Sequence, residues 1–406
     1  MLTYRSGLMP IKSQSASSDP MIPYGRQDIS QVDIDAVVEV LRSDFLTQGP
    51  TVPRFEQAVA EYCGVQQGVA VNSSTSALHI ACLALNLGPD DWLWTSPNTF
   101  VASANCALYC GAKIDFVDID PYTYNMSVAR LSEKLKQAEK KGRLPKIVMP
   151  VHFGGKPCDM PEIYALSQYY GFKIIEDASH AIGARYGNIK VGSCTHSDIS
   201  VFSFHPVKII TSGEGGMAMT NDEALANRLR RLRSHGITND KALMQPRPDN
   251  EIWNYQQIEL GFNYRMTDIQ AALGLSQMTR LDEFVKRRQQ IAEKYDKALK
   301  KLPIVIPWRS MNTYSSYHLY PLRINEAESG KSQRQVYDML WQEGVAANLH
   351  YIPVHRQPYF EKKGLKAGLF PEAENFHREV ISLPMFSSLS ITQQNSVIDS
   401  LKRIFQ

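Results

Sequence analysis

The chain has 406 residues, and its 44 lysines and arginines against 41 aspartates and glutamates give a formal net charge of +3. Hydrophobic residues make up 43% and charged residues 21%, which is typical of globular proteins and excludes a disordered chain. Because so small a charge over this length attracts no polyanion, we expect neither nucleic acid nor a membrane surface as a partner.

The N-terminal segment, residues 1–21, is rich in Ser, Gln and Lys and has no apolar period, so we expect a mobile arm. It lacks the apolar centre of a signal peptide, and no apolar run in the chain reaches the ~18 residues that a membrane helix needs. The six cysteines contain no CxxC pair. We expect reduced, buried thiols in a cytoplasmic protein, and neither a metal nor a cluster site.

Strand-like and helix-like segments then alternate for about 200 residues. A helix is predicted over residues 54–63, after Pro53 and before Gly64. The apolar runs that predict strands are GVAVN, DWLWTSP, AKIDFVDID, KIVMPVHF, FKIIEDA and SDISVFSF, and the helical SALHIACLAL follows the first of them. This alternation predicts an α/β fold with a large, mainly parallel sheet sandwiched by helices.

The pattern changes near Thr267, where T-D-I-Q matches a helix capping box. The long helical pattern that follows has an apolar side with Leu281 and Phe284, and a basic side that we expect to be solvated, formed by Lys286, Arg287 and Arg288. Farther on, YHLYPLRI, SQRQVYDMLWQEG and VAANLHYIP predict a smaller α+β unit. We therefore predict a large domain at 22–285 and a small C-terminal domain at 286–406.

Common catalytic motifs find little support in the sequence. Residues 213–218 match the dinucleotide pattern G-x-G-x-x-A, but they precede a strand-like GMAMT instead of joining a strand to a helix. The chain contains no GxxxxGK[ST] phosphate loop, no GxSxG nucleophile elbow and no HExxH helix. A Rossmann dehydrogenase, a P-loop enzyme, an α/β-hydrolase and a zincin are therefore not indicated.

Suitable side chains for a cofactor follow three of the predicted strands, and ligands of open α/β sheets lie beyond the carboxyl ends of strands. After GVAV, Ser74 and Thr75 stand where a helix begins and could bind a phosphate, although simple N-capping by serine also explains them. After FKIIE, Asp177 needs a positive partner such as a protonated pyridine nitrogen, or else caps a helix or binds a metal.

The third strand, SDISVFSF, carries Ser203 near its end and is followed by Lys208. A desolvated lysine forms an imine with an aldehyde, whereas most lysines are surface charges. Pyridoxal phosphate (PLP) needs a phosphate cradle, a pyridinium counter-ion and an imine lysine. The order of the three candidates along the chain favours this cofactor.

Several longer motifs, taken together and in order, resemble the DegT/DnrJ/EryC1/StrS family of sugar aminotransferases. They are LTQGPTVPRFE, NSSTSALH, SPNTFVAS, EDASHAIG, FSFHPVK followed by TSGEGG, and GFNYRMTDIQAALG. The resemblance covers nearly the whole chain and implies the PLP-dependent transferase fold type I of the aspartate aminotransferases. FSFHPVK, RSHGI, LHYIPV and ISLP are most similar to the transaminases of pseudaminic acid biosynthesis.

The resemblance implies a role for each candidate residue. Lys208 would form the imine with pyridoxal 5'-phosphate, and Asp177 would pair with the pyridine nitrogen. The other cofactor contacts would come from Ser74, Thr75 and Ser203 at the phosphate, Phe100 stacked on the ring unless it is an ordinary core residue, and His180 beside the ring hydroxyl, where many members have glutamine. Asn263 would reach the phosphate of the neighbouring subunit, which implies a homodimer with shared active sites.

The implied reaction is amination of UDP-4-keto-6-deoxy-N-acetyl-altrosamine at C4, with L-glutamate as donor and 2-oxoglutarate as second product. A first alternative is another dTDP-, UDP- or GDP-keto sugar. A sugar dehydratase would have histidine in place of Lys208, and a non-catalytic sugar-nucleotide-binding regulator would have lost Lys208 or Asp177. Both residues are present, so an aminotransferase is favoured.

Overall fold

The computed structural model describes residues 21–248, 250–251 and 254–406. The arm predicted for residues 1–21 lies outside the described residues except for Met21. The strands in these ranges are β1 (Ile22–Pro23), β2 (Gln67–Val71), β3 (Trp92–Thr95), β4 (Lys113–Phe116), β5 (Ile147–Met149), β6 (Lys173–Asp177), β7 (Arg185–Tyr186), β8 (Ile189–Lys190), β9 (Ile199–Ser203), β10 (Gly216–Thr220), β11 (Ile237–Thr238), β12 (Gln256–Gln257), β13 (Ile304–Val305), β14 (Thr313–Tyr314), β15 (Tyr320–Ile324), β16 (Val345–Ala346) and β17 (Val380–Leu383).

The α-helices of the same ranges are α1 (Gln31–Leu41), α2 (Thr51–Cys63), α3 (Ser74–Ala84), α4 (Ala102–Tyr109), α5 (Val128–Lys140), α6 (Met160–Tyr170), α7 (Glu223–Arg233), α8 (Asp268–Met278), α9 (Leu281–Leu299), α10 (Glu326–Ser329), α11 (Gln333–Gln342), α12 (Pro358–Glu361), α13 (Pro371–Glu379) and α14 (Ile391–Phe405).

The largest sheet has the strand order β2-β10-β9-β6-β5-β3-β4. Its strands are parallel except β10, which pairs antiparallel with both β2 and β9. The chain returns from β9 to β10 through residues 204–215 without a crossover helix, which is why these neighbours run antiparallel. The predicted mainly parallel sheet is thus confirmed.

Helices cover both faces of this sheet, because successive side chains of a strand point to opposite sides. Phe202 and Met217 pack on one face with α2, α8 and α9. Val201 and Ala218 pack on the other face with α3, α4 and α7. The predicted sandwich is confirmed, and the carboxyl ends of β2, β6 and β9 lie together at one edge.

The helix predicted over residues 54–63 ends as expected, since Gly64 adopts the left-handed conformation with φ of 73°. It begins three residues earlier than predicted, at Thr51. Pro53 does not delimit the helix because a proline in the first turn loses no intrahelical hydrogen bond. The capping box at Thr267 is confirmed, with Gln270 as the reciprocal partner at the start of α8.

The expectation of a solvated basic side on α9 is wrong for Arg288. Lys286 is exposed, but Arg288 is only 1% exposed. Its Nη1 donates hydrogen bonds to the carbonyl oxygens of Tyr317 at 3.1 Å and Met385 at 2.8 Å. α9 is therefore covered on this side by two chain segments, whose backbone acceptors allow the guanidinium to be buried.

The C-terminal part contains the antiparallel sheet β13-β15-β17, which packs with α9, α11 and α14 in one apolar cluster. β1 pairs in parallel with β16 and so brings the beginning of the described chain to this part. The predicted boundary between residues 285 and 286 falls inside α9, and the division into two domains stays a prediction. Among the described helices, none has the length and apolarity that crossing a membrane requires.

Candidate active site

A cavity of about 490 Å³ opens at the carboxyl ends of β2, β6 and β9. Its wall contains most of the cofactor residues that the sequence predicts: Ser74, Thr75, Phe100, Asp177, His180, Ser203 and Lys208. Tyr24, His318, His350 and Tyr351 complete the wall from other parts of the chain. The structure therefore brings the residues of the three predicted strand ends into one place.

The N-terminus of α3 forms one end of the cavity. Ser73 caps this helix, because its Oγ accepts a hydrogen bond from the N–H of Ser76 at 3.1 Å. Ser74 and Thr75 occupy the first turn, where backbone N–H groups have no intrahelical acceptor. Capping thus accounts for Ser73, and the next two residues are free to bind an anion such as a phosphate.

Gly216, the first residue of β10, allows the sheet to approach this helix turn closely. A Cβ at position 216 would lie 2.5 Å from the carbonyl carbon of Ser73 and 2.5 Å from the nitrogen of Ser74. Both contacts are with backbone atoms, which cannot move aside as a flexible side chain would. The position therefore requires glycine for the anion cradle to keep its shape.

Asp177 lies at the end of β6 and is 5% exposed. Its Oδ2 accepts a hydrogen bond from Ser103 Oγ at 2.6 Å, and its Oδ1 accepts one from the N–H of Ser179 at 3.1 Å. Within the described ranges, no basic side chain forms an ion pair with this carboxylate within 4.0 Å. A buried carboxylate without a cation is costly, so the site fits a cationic ligand group such as a pyridinium.

Lys208 lines the same cavity beyond the end of β9. Burial lowers the pKa of Lys208 to about 8, and the charge of Asp177 partly opposes this shift. A lysine with this pKa is a neutral, nucleophilic amine in a substantial fraction of molecules near neutral pH. The chemistry of Lys208 therefore fits imine formation with an aldehyde.

Three buried histidines line the cavity with the lysine, and their lowered pKa values keep them uncharged near neutral pH. The Nδ1 of His180 accepts a hydrogen bond from the N–H of Gly154 at 3.2 Å, so the ring proton is on Nε2, 3.3 Å from the hydroxyl of Tyr351. The ring centroid of His318 lies 4.3 Å from that of His180. Burial lowers the pKa of His180 and of His318 well below the usual value, and that of His350 to about 3.

Phe100 and Asn263 differ from ordinary core residues in their exposure. Phe100 is 58% exposed at the cavity wall, which excludes the alternative of a core phenylalanine. Its ring centroid is 6.4 Å from that of Tyr351. Asn263 lies elsewhere, exposed and bridged to Ser234, so it is not brought into the cavity of its own chain.

These residues fit PLP: an anion-binding helix N-terminus, a buried carboxylate lacking a cation and a lysine with a lowered pKa meet in one cavity. In addition, Nδ1 of His318 is buried with no hydrogen-bond partner in the described part of the chain, which leaves a polar group available to a ligand. The fold and the site together define a PLP-dependent aminotransferase.

Comparisons with known proteins identify the family. Residues 27–402 match the DegT/DnrJ/EryC1/StrS aminotransferase family. The spore coat polysaccharide biosynthesis protein SpsC of Bacillus subtilis is 37% identical over 386 residues, which is 94% of this chain and 97% of that protein. The UDP-4-amino-4,6-dideoxy-N-acetyl-beta-L-altrosamine transaminase of Campylobacter jejuni is 36% identical over 388 residues, covering 95% of this chain and 98% of that protein.

A solved structure agrees with these relatives. Helicobacter pylori PseC, described as an aminotransferase involved in the biosynthesis of pseudoaminic acid, superimposes with a TM-score of 0.85 at 29% identity. The match covers 95% of this chain and 99% of that chain. The chain belongs to the DegT/DnrJ/EryC1/StrS aminotransferase family and is a PLP-dependent sugar aminotransferase.

Some residues of the site were missed by sequence reasoning. Ser103, His318 and Tyr351 lie inside the quoted stretches SPNTFVAS, YHLYPLRI and LHYIPV, but nothing in those letters gives their roles. Ser103 contacts Asp177 only because α4 packs beside the end of β6, and this contact is between residues far apart in sequence. Only an alignment or a structure could have revealed it.

Proposed function

We propose that this enzyme aminates UDP-4-keto-6-deoxy-N-acetyl-altrosamine at C4, with L-glutamate as amino donor, for pseudaminic acid biosynthesis. The relatives in Campylobacter and Helicobacter support this sugar, because their names place them at such an amination. The Bacillus relative, named for spore coat polysaccharide, supports a second candidate: amination of a different nucleotide-linked keto sugar by the same site.

The single observation that carries the catalytic part of the proposal is the pairing, in one cavity, of a lysine of lowered pKa with a buried carboxylate that lacks a cation. PLP, when bound, supplies an aldehyde for the amino group and a ring that accepts electrons from the amino acid Cα. Asp177 would pair with the pyridine nitrogen and favour its protonated form, which strengthens that electron-accepting capacity.

The other residues orient the reactants and move a proton. The first turn of α3, with Ser74 and Thr75, would hold the phosphate together with Ser203. Phe100 would lie against the pyridine ring, and His180, whose Nε2 carries the ring proton, would be the hydrogen-bond donor nearest the ring hydroxyl. The amine of Lys208 would serve as the base that moves a proton from the Cα of glutamate, and as the acid that returns one when the keto sugar is aminated.

The three buried histidines are the other side chains of the cavity wall that could compete with Lys208 for the role of proton carrier. Because burial lowers the pKa of His180, His318 and His350, none of them competes with Lys208 as a charged acid near neutral pH. They serve as uncharged polar groups of the cavity wall. We therefore assign the amine of Lys208 as the proton carrier; the fourth histidine of the wall, His205, is exposed, and desolvation lowers its pKa as well.

We propose a homodimer in which Asn263 of one subunit reaches the phosphate site of the other. Phe45, Leu46 and Leu260 are 54%, 47% and 77% exposed, an unusual exposure for large apolar side chains. The carbonyl of Leu46 accepts a hydrogen bond from the N–H of Asp268 at 3.0 Å, which places these side chains near the segment that carries Asn263. A second copy that covers this apolar surface would also bring Asn263 to its neighbour.

We place the reaction in the cytoplasm. The cysteines are free, and all but the partly exposed Cys110 are buried. Free thiols of this kind are usual in a reducing compartment. The proposed substrates, a nucleotide sugar and glutamate, would also have to be available in that compartment.

The test is the absorption of the purified protein with PLP. The wild-type protein should be yellow and should bleach when glutamate is added, as the cofactor accepts the amino group. The Lys208→Ala variant should lose both the yellow colour and transamination. Lys156→Ala is the matched control, because burial also lowers the pKa of Lys156 to about 8 although it lies outside the cavity. Full activity of Lys208→Ala would overturn the proposal.

A further inference from the structure

Ser103 is the side chain that contacts the carboxylate of Asp177. It lies in α4, is fully buried, and its Oγ is 2.6 Å from Oδ2 of Asp177. The other carboxylate oxygen accepts only the backbone N–H of Ser179, at 3.1 Å. Ser103 is thus the one side-chain hydrogen-bond donor to Asp177 among the described residues.

A second hydroxyl stands behind the first. Thr99 Oγ1 lies 2.7 Å from Ser103 Oγ, and Thr99 is only 2% exposed. A carboxylate only accepts hydrogen bonds, and a serine hydroxyl has a single proton. The proton of Ser103 therefore points to Asp177, and the proton of Thr99 points to Ser103. Each bond of such a chain polarises the next and strengthens it.

The two residues that carry these hydroxyls also lie next to Phe100, the aromatic residue of the cavity wall. Thr99 immediately precedes Phe100, and Ser103 Oγ also lies 3.3 Å from the carbonyl oxygen of Phe100. The turn that begins α4 therefore holds Asp177 on one side and presents Phe100 to the cavity on the other. A shift of this turn would move both groups together.

The geometry also limits rotation of the carboxylate. One hydrogen bond at each oxygen fixes the plane of the Asp177 carboxyl group and leaves further lone pairs for a ligand. Without Ser103, only the backbone N–H of Ser179 would orient it. No cation within 4.0 Å in the described chain takes over that role.

We propose that Ser103, supported by Thr99, is a positioning residue that orients Asp177 toward the pyridine nitrogen of the cofactor. This inference rests on the proposed pairing of Asp177 with that nitrogen. It assigns a role to Ser103, which does not line the cavity, and to Thr99, which does, and it makes the strength of the pairing between Asp177 and the pyridine nitrogen depend on their two hydroxyls.

The test compares Ser103→Ala with Ser200→Ala. Ser200 is a matched control because it is fully buried on the neighbouring strand β9 and its Oγ has no hydrogen-bond partner in the described residues. The readouts are the absorption spectrum of bound PLP, its dissociation constant, and kcat and KM for glutamate. Ser103→Ala should raise the PLP dissociation constant about tenfold, the effect of losing one hydrogen bond to a charged group.

The spectrum and the kinetic constants should change in a defined way. We expect Ser103→Ala to alter the absorption maximum of the bound cofactor and to lower kcat, while KM for glutamate stays within about twofold. Thr99→Val should shift the same readouts in the same direction by less, because Ser103 then keeps its own bond to Asp177. Ser103→Thr, which retains the hydroxyl, should restore the wild-type spectrum, and Ser200→Ala should leave it unchanged.

The inference is overturned if Ser103→Ala binds PLP with the wild-type spectrum and affinity, even when the variant unfolds at a lower temperature. It is also overturned if Ser200→Ala produces the same spectral change. Should Ser103→Ala fail to fold, a folded Thr99→Val with an unaltered spectrum would overturn it. Failure of the proposed function looks different: then Asp177→Asn would leave the wild-type spectrum and PLP affinity unchanged as well.

Discussion

The rate of PLP capture by Lys208 should reach half its maximum near pH 8, well below the pKa of 10.5 of an ordinary lysine. Only the neutral amine attacks an aldehyde, and burial disfavours the charged form of this side chain. At pH 7.5, a pKa of about 8 leaves about a quarter of the molecules neutral, whereas an ordinary lysine has about one in a thousand. The cavity therefore makes Lys208 roughly 200-fold more available than a surface lysine under the same conditions.

The assay is the rate of PLP binding to the apoenzyme, followed by absorbance between pH 6.5 and pH 10. The rate should rise with pH through a midpoint near 8, since the amine loses its proton there. His180, His318 and His350 are already neutral across this range and add no second midpoint. The same measurement with Nα-acetyl-lysine, whose side-chain amine is free, corrects for the ionisation of PLP itself.

Removing the charge of Asp177 tests the direction in which that charge shifts the pKa of Lys208. The charge of Asp177 raises the pKa of Lys208, so Asp177→Asn should move the midpoint below 8 even though it weakens cofactor binding. Lys156→Ala should leave the midpoint in place. A midpoint near 10, or an upward shift in Asp177→Asn, would refute the reasoning.

Three further predictions concern the cradle, the core and the subunit contact. Gly216→Ala should weaken PLP binding and lower the free energy of unfolding by about 1–3 kcal/mol in urea, because its Cβ meets backbone atoms, whereas Gly88→Ala, with open space around it, should do neither. Glu176→Ala should lower the free energy of unfolding by about 3 kcal/mol, because Nε2 of buried His152, 2.7 Å from Glu176, would lose its hydrogen-bond acceptor. Glu176→Gln keeps an acceptor oxygen and should lower it by less, so equal losses in the two variants would contradict this reasoning. Leu260→Asp should convert the proposed dimer to monomers in sedimentation analysis and abolish transamination, and an active monomer would argue against shared sites.

The candidate site residues that could be predicted from the sequence lie at the ends of strands. Lys208 and Asp177 were predictable because each follows a buried apolar run, and parallel strands of one sheet end at the same edge. Their chemistry is unusual in that position, so a single sequence already indicates a cofactor. The same argument predicts an anion site at the start of α3, where Ser74 and Thr75 line the cavity.

Other features depend on which segments pack together, and periodicity does not reveal that. Arg288 lies on the polar side of its helix by pattern, yet two loops from distant parts of the chain bury it and supply carbonyl acceptors. Ser103 and His318 likewise gain their positions from tertiary contacts. Their side chains carry no local signal, so only the packed structure identifies them.

The most direct test of the account is transfer of the nitrogen atom itself. The enzyme would be incubated with ¹⁵N-labelled L-glutamate and a panel of UDP-, dTDP- and GDP-linked 4-keto-6-deoxy sugars, and the products analysed by mass spectrometry. The account predicts that the label appears at C4 of the UDP-linked N-acetyl sugar, and that Lys208→Ala transfers none. Preferential labelling of a dTDP or GDP sugar would contradict the proposed substrate, and an unlabelled panel would contradict the transamination itself.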